Sequence, residues 1–204
     1  HRVDRRQRQM CIRDSRMPAK EFRHFINGEW VSSTRTFENR NPADNSLVGL
    51  VHEANQEQVD AAVRAARNAL KGPWGSMTVA QRTALLHKVA EGIERRHDEF
   101  VAAEVADTGK PRALAGHLDI PRGAANFKVF ADLIKNVPTE SFVMDTPDGG
   151  KAVNYAVRAP RGVIAVVCPW NLPLLLMTWK VGPALACGNT CLLYTSPSPR
   201  DQRG

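Results

Sequence analysis

Hydrophobic and polar positions follow three patterns along this 204-residue chain. In the first, short apolar pieces are separated by turn residues. Phe22-Arg23-His24-Phe25-Ile26 leads into Asn27-Gly28 and then Glu29-Trp30-Val31. An Asn-Gly pair between such runs predicts a hairpin, because both central residues of the tight turn take positive φ. Leu47 to Val51 reads as a further strand. The second pattern is helical. Asn55 is a candidate N-cap, followed by an apolar stripe of Val59, Ala62, Val63, Ala66 and Leu70 that ends at Gly72-Pro73. Thr78 and Gln81 form a capping box, with Leu85, Leu86, Val89 and Ile93 behind it. Arg95, Arg96 and His97 stand where cations favour a helix end. Glu99 to Ala106 continues as helix until Thr108-Gly109-Lys110-Pro111 interrupts it. Phe127, Phe130, Ala131 and Ile134 give another helical stripe, and Trp74 reads as a core anchor.

The third pattern is found near the end. Phe142-Val143-Met144 and Ala152 to Val157 flank a turn of Asp145-Thr146-Pro147-Asp148-Gly149-Gly150, a predicted β-hairpin. Val163 to Val167 is a near-continuous apolar run, the pattern of a strand buried on both faces. Pro169 cannot donate to a sheet ladder, so the run stops at Cys168-Pro169-Trp170-Asn171. Leu174 to Leu185 is long enough for a helix, and Gly188-Asn189 is its stop. Buried strand, turn and helix make the first half of a βαβ unit, so the fold class is α/β. In open α/β sheets ligands bind at the carboxyl ends of strands, which places Pro169, Trp170 and Asn171 where chemistry is found.

Composition narrows the class. With 43% apolar and 24% charged residues the chain reads as a soluble globular protein. No stretch reaches the ~20 apolar residues of a membrane span, and no secretory segment opens the chain. Cys11, Cys168, Cys187 and Cys191 have neither paired metal-ligand spacing nor a disulfide pattern. His87 and His97 read as surface residues, and no metal site is predicted. A reducing cytoplasm is the simplest setting. The net charge of +7 suggests nucleic acid until it is located. Residues 1–16 carry +4 and residues 191–204 carry +1, leaving +2 for the 174 residues between.

The run PWNLPLLLMTWKVGPALACGNT resembles the aldehyde dehydrogenase superfamily. FINGEW, FENRNP and EVADTGKP resemble the same family at corresponding places. DIPRGAANFKVFAD and MDTPDGGKAVNYAVRAPRG look most like its 2-hydroxymuconic and 2-aminomuconic semialdehyde dehydrogenases. The resemblance implies the amino-terminal part of that fold, NAD as cofactor and a small aldehyde as substrate. It makes Asn171 the catalytic donor to the oxyanion; capping of the following helix is the plain alternative. Val167, Cys168, Pro169 and Trp170 would lie against the cofactor. Leu172, Leu176 and Trp179 would line the aldehyde tunnel, although helix-face packing explains them equally. Cys168 is not the family's nucleophile. Lys180 matches a member of a polar network near the active site, or else a snorkelling surface lysine. Arg122 would anchor the distal carboxylate of a muconic semialdehyde, against a surface ion pair. TGKP lacks the leading glycine of a P-loop, so Lys110 reads as a helix-end cation.

The resemblance covers roughly Glu21 to Thr190. The ribose-binding lysine expected after the GNT segment is absent from CLLYTSP, and the family's nucleophilic cysteine and general base do not follow. Residues 1–16 and 191–204 look like translated adapter read-through and are expected to be non-native tails. Between them, 17–136 is expected to form the helical part of the NAD-binding domain, 137–160 an oligomerisation arm, and 161–190 the first strand and helix of a Rossmann-like core. The arm implies a homo-oligomer. Neither nucleic acid nor membrane is expected as a partner. The expected activity is oxidation of a semialdehyde in aromatic-compound catabolism, with this polypeptide itself inactive. Betaine aldehyde or succinic semialdehyde as substrate, and a basic helical binding module without enzyme activity, are the alternatives.

Overall fold

The structure, a computed structural model, describes residues 19–195. The basic tail 1–16 and the last part of segment 191–204 lie outside the described residues. Strands β1 (Glu21–Phe22), β4 (Thr36–Arg40) and β5 (Leu47–His52) form one sheet in the order β1-β5-β4. β1 runs parallel to β5, and β4 runs antiparallel to it with an irregularity at Asn39/Arg40. β2 (His24–Ile26) and β3 (Glu29–Val31) form the predicted hairpin. Its turn residues Asn27 and Gly28 have φ of 53° and 87°, as the tight turn requires.

Helix α1 (Gln56–Ala69) starts at Asn55 and α2 (Val79–Arg95) at Thr78, each with a complete capping box closed by Gln58 and Gln81. Both starts follow from side chains three positions apart, and both match the sequence expectation. The buried face of α2 does not. Thr83, Leu86, Ala90 and Ile93 are buried, whereas Leu85 and Val89 are 38% and 43% exposed. The stripe is rotated by one position, because α2 packs against a helix remote in sequence. The chain breaks at Arg96, and α3 (His97–Thr108) follows. Gly109 ends α3 with φ 69°, and a Cβ there would stand 2.8 Å from Pro42 Cγ. A single turn at Arg112–Leu114 opens into a wide π-helical turn, Ala115–Asp119, before α4 (Ile120–Leu133).

β6 (Ser141–Asp145) and β7 (Lys151–Tyr155) form the second predicted hairpin. Phe142, Val143, Val153 and Tyr155 are each more than 60% exposed on it. β8 (Val163–Cys168) leads through the Pro169–Leu172 turn into α5 (Pro173–Ala186), which ends at Cys187-Gly188. β9 (Thr190–Thr195) then pairs parallel with β8 along its whole length. The boundary expected after residue 190 therefore falls inside a strand, since Cys191-Leu192-Leu193-Tyr194 supply enough apolar, β-compatible chain to continue it. The expectation that β8 is buried on both faces is also corrected. Val166 and Cys168 are 1% exposed, but Val167 between them is 54% exposed. α5 and α1 pack on the β8-β9 ladder, and the alternate residues of β8 are left open.

The core lies where α2, α4 and α5 meet. Leu86, Ala90, Ile93, Val101, Ile120, Ala124, Phe127, Ala131 and Leu174 are buried together, with Phe130 and Ile134 against them. α1 is fastened to β9 by a hydrogen bond from Thr190 Oγ1 to the Ala66 carbonyl, and the loop after α1 to the preceding turn by one from Trp74 Nε1 to the Asn189 carbonyl. The rotated face of α2 predicts that Leu86→Ala costs about 3 kcal/mol in urea unfolding. Leu85→Ala, on the open side, is expected to cost less than about 1 kcal/mol.

Candidate active site

The site is built on the carboxyl end of β8. Pro169 ends the ladder, Trp170 is 48% exposed, and Asn171 is exposed. Asn171 is not a cap. The N-cap position belongs to Leu172, with φ −142° and ψ 65°, and no side chain caps α5. The Asn171 carboxamide makes no hydrogen bond to a described residue; only its backbone carbonyl is engaged, by Lys110 Nζ at 3.2 Å. A neutral donor is thus held open to solvent at the end of a parallel strand, without competing partners.

The neighbouring side chains sort by the period of α5. Leu172 and Leu176 are half-buried and Trp179 is 47% exposed, all on one side of the helix. Trp179 meets Phe130 edge-on at 5.8 Å between ring centroids. α4 and α5 run side by side in the same direction. Gly123 faces Leu174, Asn126 donates to Thr178 Oγ1 at 2.9 Å, and Phe130 packs on Gly182. Their amino ends therefore lie together, which brings Arg122 on the first turn of α4 to the same end as Asn171. Arg122 is exposed and forms no ion pair with a described residue. Cys168 is buried, so a ligand at the turn would meet its backbone and not its sulfur. Burial pushes the Cys168 thiol up, opposed by the nearby Lys180 ammonium. Lys180 itself donates to the Val167 carbonyl, tying the helix to the last residues of the strand. Cys191 is likewise pushed up by burial.

A group that sequence reasoning missed lies beneath the turn. Lys110, read as a helix-end cation, is 90% buried in its side chain and ion-paired to Glu104 Oε1 at 3.0 Å and Asp119 Oδ2 at 2.5 Å. Their side chains are 4% and 0% exposed. Desolvation raises the Glu104 carboxyl above its ordinary range, although Lys110 and the Leu174 backbone N–H oppose it. Burial works to lower the Lys110 ammonium, but the hydrogen bonds it donates to Asp119 and Glu104 outweigh it and the net shift is upward. The available signal was the Gly-Lys-Pro junction directly after an amphipathic helix. Nothing local reveals that carboxylates six residues before and nine residues after converge on that lysine.

The family profile described as the aldehyde dehydrogenase family matches residues 30–199. The chain belongs to the aldehyde dehydrogenase family. It is 66% identical over 179 residues to a 2-hydroxymuconic semialdehyde dehydrogenase of Pseudomonas sp. (strain CF600), covering 87% of this chain and 37% of that protein. It is 52% identical over 177 residues to a 2-aminomuconic 6-semialdehyde dehydrogenase of Pseudomonas sp., covering 87% and 36%. The NAD+ complex of an aldehyde dehydrogenase from Bacillus cereus superposes with a TM-score of 0.80 at 39% identity, over 85% of this chain and 35% of that one. The chain therefore spans little more than a third of the length of these dehydrogenases. Its fold is the α/β arrangement of their amino-terminal part, and the family is an oxidoreductase family.

The raised Glu104 carboxyl has a pH signature. Below the ordinary glutamate value of 4.5 both folded and unfolded chains hold the proton. Above it the unfolded chain releases the proton first, so this group's contribution to stability falls as pH rises towards the folded-state value and then levels off. Urea unfolding across this range is expected to show that decline in the native chain and to lack it in Glu104→Gln.

Proposed function

We propose that this chain is the amino-terminal part of an NAD-dependent dehydrogenase that oxidises 2-hydroxymuconic semialdehyde, or a semialdehyde closely like it, to the carboxylic acid in aromatic-compound catabolism. The observation that carries the reading is the Asn171 carboxamide, exposed and uncommitted where β8 gives way to α5, in a chain 66% identical to an enzyme of that name. As the aldehyde carbon becomes tetrahedral its oxygen takes up negative charge. A fixed amide N–H stabilises that charge without being titrated away.

The residues around the turn suit NAD on this side. Val167 and Trp170 leave roughly half of their surface open at the strand end, and the Pro169 backbone between them carries no N–H to satisfy. Val167, Cys168, Pro169 and Trp170 would flank the nicotinamide end. NAD, when bound, supplies the hydride acceptor. Leu172, Leu176 and Trp179 form an apolar wall that keeps water from the aldehyde. Arg122 would pair bidentately with the carboxylate at the far end of the substrate and hold the aldehyde in register. Residues 17–136 serve as the helical part of the NAD-binding domain, 137–160 as the arm and 161–190 as the start of the Rossmann-like core. The β6-β7 arm is a lone two-stranded ribbon with its apolar side chains in solvent. Such a ribbon is marginal in water and gains stability by joining a sheet in another copy of the protein, which supports a homo-oligomer. On its own the 204-residue polypeptide would not turn over: Cys168, the buried thiol beside the turn, is not the nucleophile the resemblance calls for, and the chain spans little more than a third of the relatives it matches.

In the full-length enzyme Asn171→Ala is expected to lower kcat by about 10²–10³ in an NADH-formation assay, with the fold stability nearly unchanged. An unchanged kcat overturns the role of Asn171. Arg122→Lys should raise KM for a carboxylate-bearing semialdehyde far more than for a simple aliphatic aldehyde. Equal effects on both substrates overturn the anchor.

A further inference from the structure

We propose that Lys110 is a positioning residue for the Asn171 turn: its buried ammonium, held by Glu104 and Asp119, grips the Asn171 backbone carbonyl and so sets where the carboxamide points. The inference rests on the oxyanion role proposed for Asn171.

An ammonium has three N–H donors and no acceptor. In Lys110 each donor is assigned. One goes to Glu104 Oε1 at 3.0 Å, one to Asp119 Oδ2 at 2.5 Å and one to the Asn171 carbonyl at 3.2 Å. The three acceptors come from three separate elements: the last turn of α3, the π-helical turn, and the β8-α5 connection. Two carboxylates exceed what one ammonium needs for neutrality, and Asp119 Oδ1 is left buried without a partner. A plain stabilising ion pair would not carry that surplus. It makes sense as a clamp in which the carboxylates fix the ammonium and the third donor fixes the turn.

The backbone around the turn needs such a clamp. Pro173 has no N–H, Leu172 has no capping side chain, and Asn171 does not cap. Lys110 thus holds the carbonyl just before Leu172, where α5 has no side-chain cap of its own. Local geometry delivers the clamp. Gly109 in the left-handed region ends α3 and turns Lys110 back beneath the helix, while the π turn presents Asp119 to the interior. Wide turns of this kind are found at functional positions.

The test uses the full-length enzyme with Lys110→Met, Asn171→Ala and the two combined. Lys110→Met should lower kcat roughly 10–100-fold, as a misplaced catalytic donor does, with KM for NAD within about twofold. On the Asn171→Ala background the same change should cost less than about threefold, because the donor it positions is already gone. Hydrogen exchange should quicken by roughly tenfold in the segment 171–176 and stay unchanged in α2. Should Lys110→Met fail to fold, the charge-free variant Glu104→Gln/Lys110→Met/Asp119→Asn removes the stranded carboxylates and is expected to show the same kcat loss and the same local exchange. Additive losses in the double variant, or unaltered exchange across 171–176, overturn the positioning role while leaving the oxyanion reading intact. Normal kcat in Asn171→Ala overturns the oxyanion reading and with it the catalytic consequence, and faster exchange in Lys110→Met would then report the backbone clamp alone.

Discussion

The close approach of α4 and α5 is the constraint on which the rest of the structure depends. A Cβ on Gly123 would stand 3.0 Å from Leu174, and one on Gly182 would stand 3.0 Å from Phe130. At both positions a side chain would press on its neighbour, so the glycines ease the close approach of the helices. Between them Asn126 donates to Thr178, whose hydroxyl in turn donates to the Leu175 carbonyl, so the buried polar groups of the contact are answered within it. This packing fixes the direction of α5. The direction of α5 fixes the turn that precedes it, and the turn carries Asn171.

Two further attachments make the turn a defined object. Lys180 reaches back from α5 to the Val167 carbonyl, which ties the helix to the strand it follows. Lys110 reaches up from the end of α3 to the Asn171 carbonyl. Ammonium groups thus hold the backbone on both flanks of Pro169 and Trp170, and neither uses the Asn171 carboxamide. A donor aimed at a transient charge must be rigid in its backbone and free in its side chain, since any permanent partner would compete with the substrate oxygen. For the role proposed for Asn171, the arrangement meets both conditions in one residue.

The exposed apolar surface has a comparable logic. Val167 on β8 and its ladder partner Tyr194 on β9 leave an open apolar face, and the β6-β7 ribbon carries Phe142, Val143, Val153 and Tyr155 into solvent. This chain spans little more than a third of its curated relatives. Contiguous apolar surface of this character is where proteins commonly make further contacts.

Much of the local structure was legible in the sequence. The Asn27-Gly28 hairpin, the N-cap at Asn55, the capping box at Thr78, the stop at Pro169 and the end of α5 before Gly188 each depend on residues within about four positions of one another, and local hydrogen bonds or φ restrictions decide them. The turn and the first face of α5 could be put forward together from the sequence because they are contiguous, whereas Arg122 reaches the same end only through the parallel packing of α4 on α5. Tertiary structure decided what proximity in the chain cannot encode. It rotated the buried face of α2 onto Leu86 and Ala90, opened one face of β8, carried β9 past the expected boundary, freed Asn171 from capping, and buried the Lys110 ammonium between two carboxylates where a helix-end cation was expected. Each of these outcomes depends on which distant element arrives to cover a side chain. Periodicity shows that a face will be buried, but only the arriving neighbour settles how completely and against what charge.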